Sequence, residues 1–330
     1  MAYDLKQYTT PVWEGDTVYH ESVLFIENAD GTVTAPALLY TPDLVLSVAS
    51  ADLKTTYTLG KDYKIEGKTI VLTDDTTIPV MPYESYISNG AVIQTTSVMG
   101  YQLSVSYTHS DAWTLSTPAA QLADLPKLKA KLEAGEAVNM LFCGDSITVG
   151  YEGSGFHDVA PYMPGWVDMV EASLEAKYSS DITVNNVAVG GTTTGHGLTQ
   201  HILNVTADTD VVFIAYGMNM SDNTANYDDH IRQMIDYARG VNSDAEIVLV
   251  SSMTANEHES VKPGNVLDAQ EDVLDAIAAD YTGVAVAPVN TVFENIQTIK
   301  RYEDITGNFY NHPNDFGIRL YAQTVLAVLS

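Results

Sequence analysis

Over much of residues 1–117, hydrophobic and polar positions alternate with a period of two, as in half-buried strands. Thr17–Glu27 carries Val18, Val23 and Phe25 among β-favouring neighbours, and Asp30-Gly31 marks a turn before Thr32–Tyr40. Thr55–Leu59 reads as another strand. Asp62–Ile65, Glu66-Gly67 and Lys68–Thr73 read as a hairpin, and Ala91–Met99 with Tyr101–His109 as a second pair about Gly100. No convincing amphipathic helix occurs in this stretch. Several short strands with regular turn signals predict a β-sandwich.

The pattern changes at Ser116-Thr117-Pro118. Leu122, Leu125, Leu128 and Leu132 recur at helical spacing up to Gly135 and predict a linker helix within 118–136. Beyond it, strands predicted at Val138–Cys143, Ile182–Val187, Asp210–Ala215, Ile247–Ser251 and Val284–Pro288 alternate with helices. The helices are expected at Trp166–Tyr178, Tyr227–Arg239, Val266–Tyr281, Val289–Arg301 and Phe316–Leu329. Five apolar strands separated by helices predict a three-layer α/β/α domain over 137–330, with a five-stranded parallel sheet covered on both faces. Ligands of such sheets bind beyond the carboxyl ends of the strands.

Composition narrows the partners. The 330 residues suit two domains at roughly 100–200 residues each. Forty-three acidic against 15 basic residues give a formal charge of −28, which argues against nucleic acid and against an anionic membrane surface. The same charge disfavours a highly anionic substrate. A single cysteine, Cys143, excludes an intramolecular disulfide and a cysteine zinc site. The chain's start has neither a basic nor an apolar leader region, so the expectation is a cytoplasmic protein or a secreted one whose signal has been removed.

Four segments carry candidate chemistry. The first strand runs into Phe142-Cys143-Gly144-Asp145-Ser146-Ile147-Thr148-Val149-Gly150, which places Ser146 at a strand end, as a nucleophile or as a helix cap. The second strand leads to Gly190-Gly191-Thr192-Thr193-Thr194-Gly195-His196, where paired glycines permit close backbone approach to a ligand or a plain turn. The third leads to Tyr216-Gly217-Met218-Asn219-Met220, and Asn219 can donate its amide to developing negative charge or brace a turn. Before the last helix stands Asn311-His312-Pro313-Asn314-Asp315, with His312 a general-base candidate and Asn314 or Asp315 the helix cap.

Ser, Gly, Asn and His in that order, on one edge of one sheet, resemble the SGNH (GDSL) hydrolase superfamily. The resemblance runs from Val138 to the C-terminus and is carried by Gly144-Asp145-Ser146-Ile147-Thr148 and His312-Pro313-Asn314-Asp315. It implies a flavodoxin-like fold, Ser146 as nucleophile and His312 as general base. It also implies an oxyanion hole from the Ser146 N–H, the Gly191 N–H (Gly190 being the adjacent alternative) and the Asn219 amide. No metal or cofactor is implied. Two positions depart from the family pattern: Met220 replaces an Asp after Asn219, and Phe309 stands where the triad Asp would lie, three residues before His312. A Ser–His dyad is therefore expected, with Nδ1–H of His312 held by a backbone carbonyl or an Asn side chain, a carboxylate reaching in from elsewhere staying open. Asp145 is expected to hold its own loop.

A β-rich region ahead of such a domain resembles the two-domain carbohydrate acetylesterases, whose first module is jelly-roll-like. That resemblance implies an acetylated saccharide or another small ester as substrate. Tyr151, Tyr162, Trp166, His196 and Tyr216 are candidate substrate contacts. Trp113, His157 and His258 are further residues that the site can recruit. Two alternatives stay open: a broad-specificity short-chain acyl esterase or thioesterase, and a carbohydrate-binding protein with a degenerate hydrolase domain.

Overall fold

A computed structural model describes residues 4–89, 91–95, 98–220, 224–256 and 264–330. The N-terminal part is antiparallel β. Its main sheet comprises β1 (Thr17–Leu24), β2 (Leu44–Ser50) and β3 (Gln102–Thr108), with β3 in the centre. Three two-stranded ribbons accompany it: Ile26–Glu27 with Val33–Thr34, Tyr63–Glu66 with Thr69–Leu72, and Ile87–Ser88 with Ala91–Val92. The hairpin expected about Glu66-Gly67 is present. The pairing expected about Gly100 is not, because β3 joins β1 and β2 instead. The edge strand β2 has no strict alternation to betray it: Leu44 and Leu46 face solvent, 61 % and 49 % exposed, while Val48 is buried.

A short turn at Leu122–Asp124 precedes helix α1 (Pro126–Ala134). Proline occupies the first turn, where its missing N–H costs nothing, and Gly135 closes the helix in the left-handed region at φ 66°. The five expected parallel strands follow as β4 (Val138–Gly144), β5 (Ile182–Asn186), β6 (Val211–Ala215), β7 (Glu246–Val250) and β8 (Val284–Ala287). Their spatial order is β5-β4-β6-β7-β8, the flavodoxin-like arrangement whose switch point lies at the carboxyl end of the first strand.

Period-two geometry sends alternate residues of these strands to opposite faces. Met140, Phe142, Phe213 and Val248 meet α2 (Trp166–Tyr178), α5 (Val289–Gln297) and α6 (Asp315–Val328). Leu141, Cys143, Val212 and Leu249 meet α3 (Thr224–Val241) and α4 (Gly264–Asp280). Cys143 is thus a core residue, and burial pushes its thiol up to about 12. The helix expected over Val289–Arg301 stops at Gln297, because Lys300 turns inward and Arg301 caps the next turn, Tyr302–Ile305.

The N-terminal β region and the α6 face share one hydrophobic cluster, which joins Tyr8, Val12, Val23 and Val105 to Phe316, Leu320 and Val325. Polar contacts add direction. The buried Arg319 guanidinium donates to the carbonyls of Gln7, Tyr8, Tyr19 and His20 at 2.6–3.1 Å, and burial lowers its pKa to about 10, so it stays charged. Lys300 Nζ donates to Glu21 Oε1 at 2.7 Å with both side chains fully buried. The remaining Glu21 capacity takes Tyr107 Oη–H and Leu39 N–H. Removing one member of such a pair strands a buried charge at a cost of about 3–5 kcal/mol. Lys300→Met is therefore expected to lower the urea unfolding free energy by about that amount. An unchanged urea midpoint would show the pair to be dispensable.

Candidate active site

Strand β4 ends at Gly144 and Asp145 caps the single helical turn Ser146–Val149, its Oδ1 accepting from Ile147 N–H at 3.0 Å. This cap is the loop-holding role expected of Asp145. Ser146 is 3 % exposed at the sheet's carboxyl edge. Helix α6 has Asn314 as its cap, and the loop ahead of it carries His312. His312 Nε2 lies 2.8 Å from Ser146 Oγ, bridging 166 residues of sequence.

On the other side of the ring, Asn308 Oδ1 accepts from the backbone N–H groups of Tyr310, Asn311 and His312 at 3.0–3.1 Å. Three donors on one oxygen orient the amide, so Asn308 Nδ2 faces His312 Nδ1 at 2.9 Å and Asn311 Oδ1 at 3.1 Å. An Asn side chain was expected to accept from Nδ1–H; Asn308 instead presents its amide nitrogen, a donor, because its oxygen is taken by the backbone N–H groups. A donating Nδ2 suits the Nε2–H tautomer of the neutral ring, whereas uptake of the Ser146 proton needs the Nδ1–H tautomer. Glu152 lies close by, its Oε1 4.0 Å from His312 Nδ1 and its Oε2 3.1 Å from His157 Nε2.

The fold accounts for Phe309, one departure from the family pattern. Its ring is fully buried, away from Ser146, among Leu24, Ile26, Met81, Tyr86 and Val98, and stacks on Tyr86 at 5.3 Å. The N-terminal β region also grips the histidine loop through Leu24 N–H to Asp304 Oδ1 and Gln102 Nε2 to the Thr306 carbonyl. Met220, the second departure, offers its sulfur to Thr194 N–H and Oγ1–H at 3.3–3.4 Å.

Asn219 follows β6, the strand next to β4. Its Nδ2 donates to the Thr192 carbonyl at 3.1 Å and reaches Asp145 Oδ2 at 3.3 Å. Thr192 Oγ1 in turn donates to the Gly144 and Val189 carbonyls. The loops after β4, β5 and β6 are thereby tied together around Ser146. Gly191 has φ 77°, which favours glycine, and a side chain at Gly190 would meet the Tyr151 hydroxyl at 2.9 Å.

The candidate substrate contacts divide. Tyr151 packs its ring edge-on to His312 at 5.6 Å and against Phe156 at 4.4 Å. Tyr162 is 55 % exposed, and with Phe156 it lines a groove beside Val149 and Gly150. His196 packs edge-on against His201 at 4.6 Å. Trp166 and Tyr216 are corrections. Trp166 is fully buried against Phe142 and Tyr321, where its indole N–H donates to the Ile147 carbonyl and braces the serine turn. Tyr216 is buried with its hydroxyl on His201 Nδ1, and burial pushes its phenol well up. Trp113 packs edge-on to Tyr40 in the N-terminal region, His157 serves Glu152, and His258 lies outside the described residues. Nothing local in the sequence marks Glu152, and Asn308 carries no signal beyond its place four residues before His312.

The model of the GDSL-like lipase/acylhydrolase family matches residues 142–320, more than half of the chain. Among solved structures, a two-domain esterase described as active on acetylated mannans is 20 % identical with a TM-score of 0.50, over 64 % of this chain and 53 % of its own. The present chain thus spans about half of that protein's length. A member of the lipolytic G-D-S-L family from Veillonella parvula DSM 2008 is 23 % identical over 58 % of this chain and 98 % of its own, with a TM-score of 0.46. An extracellular lipase from Streptomyces rimosus is 17 % identical over 58 % and 100 %, with a TM-score of 0.43. No curated protein matches.

Proposed function

Since this chain belongs to the GDSL-like lipase/acylhydrolase family of ester hydrolases, we propose that it is a serine esterase removing short acyl groups, acetyl in particular, from carbohydrates. The observation that carries the reading is the 2.8 Å contact between Ser146 Oγ and His312 Nε2. His312 takes the serine proton as Oγ attacks the ester carbonyl, and returns it to the leaving sugar hydroxyl. The oxyanion is met by the N–H groups of Ser146 and Gly191 and the amide of Asn219. Water, activated by the same histidine, then releases the acid.

A saccharide substrate is favoured by Phe156 and Tyr162, exposed aromatics on the groove that begins at Val149, the last residue of the nucleophile's turn. The charge of −28 favours a neutral polymer over a phosphorylated or coenzyme-linked ester. Residues 1–117 act as an accessory region whose contact with Phe309 holds the histidine loop.

The test is acetate release from acetylated mannan and acetylated xylan, with Ser146→Ala as the blank. Acetylated mannan comes first because a protein of the same fold is described as active on it. Serine-dependent release from either polymer is the expected result. Serine-dependent cleavage of 4-nitrophenyl acetate without polymer release would move the substrate to small esters. Cleavage of neither would bring the carbohydrate-binding alternative forward.

A further inference from the structure

The proposed chemistry needs a group that accepts a hydrogen bond from His312 Nδ1. To receive the serine proton, Nε2 must be unprotonated, so the neutral ring must carry its proton on Nδ1; the imidazolium then carries one there too. Asn308 Nδ2 is a donor and cannot receive that proton, and its amide is held in place by three backbone N–H groups.

Glu152 can. Its side chain is 11 % exposed, and Oε1 stands 4.0 Å from Nδ1. A move of about 1 Å brings it into N–H···O range. Three features place it there. Residue 152 is in the left-handed region at φ 66°, uncommon for a side chain of this size. Gly307, in the histidine loop, lies so close that a Cβ on it would fall 2.4 Å from Glu152 Cβ. His157 Nε2 holds the second carboxylate oxygen at 3.1 Å, which leaves Oε1 turned to His312. The strained backbone, the missing side chain opposite and the anchored second oxygen all serve one placement.

We infer that Glu152 is the carboxylate that positions His312 in its Nδ1–H form, from a loop six residues past the nucleophile. The inference rests on the serine esterase reading above. In the step itself the Ser146 Oγ–H proton passes to Nε2, the Oγ–carbonyl bond forms and the carbonyl π pair moves to the oxyanion. Glu152 accepts the hydrogen bond from Nδ1–H and stays ionised. On collapse the bond to the leaving alcohol breaks and Nε2 returns the proton to it.

The experiment compares Glu152→Gln with the wild type and Ser146→Ala on 4-nitrophenyl acetate across pH. Among the described residues the ionisable side chains paired with Glu152 are His312 and His157, so both belong to the titration. Glu152→Gln should lower kcat about 10–100-fold with KM nearly unchanged, less than the ~10⁴ seen when a serine protease's buried Asp becomes Asn, because the contact here is longer. The acid limb of kcat/KM should move to lower pH, since the imidazolium loses its counter-charge. The Glu152→Gln/Asn308→Asp double variant, which places a carboxylate oxygen at the former Nδ2 position, should recover most of the loss. An unchanged kcat and acid limb in Glu152→Gln, with Ser146→Ala inactive, overturns the inference and spares the esterase reading. Full activity in Ser146→Ala overturns both. Should Glu152→Gln fail to fold, the wild type modified at Ser146 by a phosphonate decides. A far-downfield His312 Nδ1–H proton resonance supports the carboxylate contact, and a solvent-like position overturns it.

Discussion

Ser146→Ala is expected to lower kcat/KM for 4-nitrophenyl acetate by about 10⁴–10⁶-fold, since a nucleophile and its base act as a unit and either loss removes the covalent route. The expectation rests on Ser146 Oγ lying 2.8 Å from His312 Nε2 at the carboxyl end of β4. His312→Ala should cost about as much, and the double variant little more than either alone. Stability should barely change, because Asp145 rather than Ser146 caps the helical turn. Steady-state rates of the three variants, with covalent labelling by a fluorophosphonate, check this. Independent, multiplying losses in the double variant would show that the two residues do not share one step, and the dyad would have to be abandoned.

Asn219→Ala should lower kcat by about 10²–10³-fold, equivalent to about 2.7–4 kcal/mol of transition-state stabilisation, if its amide meets the oxyanion. The same amide tethers the loops, through the Thr192 carbonyl and Asp145 Oδ2. The two roles separate by readout. Loss of an oxyanion donor lowers kcat and leaves KM and the melting temperature close to wild type. Loss of a tether loosens the loops after β4 and β5, which moves KM and the melting temperature together. A kcat loss below about tenfold would remove Asn219 from the oxyanion hole, given what one donor is ordinarily worth.

The N-terminal region was harder to read than the hydrolase part, for a physical reason. A parallel strand buried on both faces is apolar throughout, so β4 to β8 stand out within a residue or two of their observed ends. An antiparallel strand with one wet face depends on alternation, and β2 breaks it with exposed Leu44 and Leu46. Partner choice is set at long range: β3 lies beside β1, about eighty residues earlier in the chain, rather than beside its sequence neighbour.

The site divides along the same line. Ser146, Gly191, Asn219 and His312 are legible because each sits at a strand end or just before a helix, positions that local sequence marks. Phe309 is legible as a departure and not as a purpose. Only the folded chain shows that it leaves the site to dock among Leu24, Met81 and Tyr86. Trp166 and Tyr216 look like sugar platforms in sequence and are core residues in space, because large aromatic rings yield the most free energy when buried. By itself, then, the sequence determined the fold class of residues 137–330 and the placing of Ser146 and His312 at the carboxyl edge of its sheet, since these follow from local periodicity and short motifs. The tertiary structure alone decided which groups face Nδ1 of His312. A left-handed turn and a bare glycine bring Glu152 to 4.0 Å from that nitrogen across 160 residues, a separation that leaves no periodic trace. Asn308, four residues before His312, owes its placement to a loop gripped by the N-terminal β region.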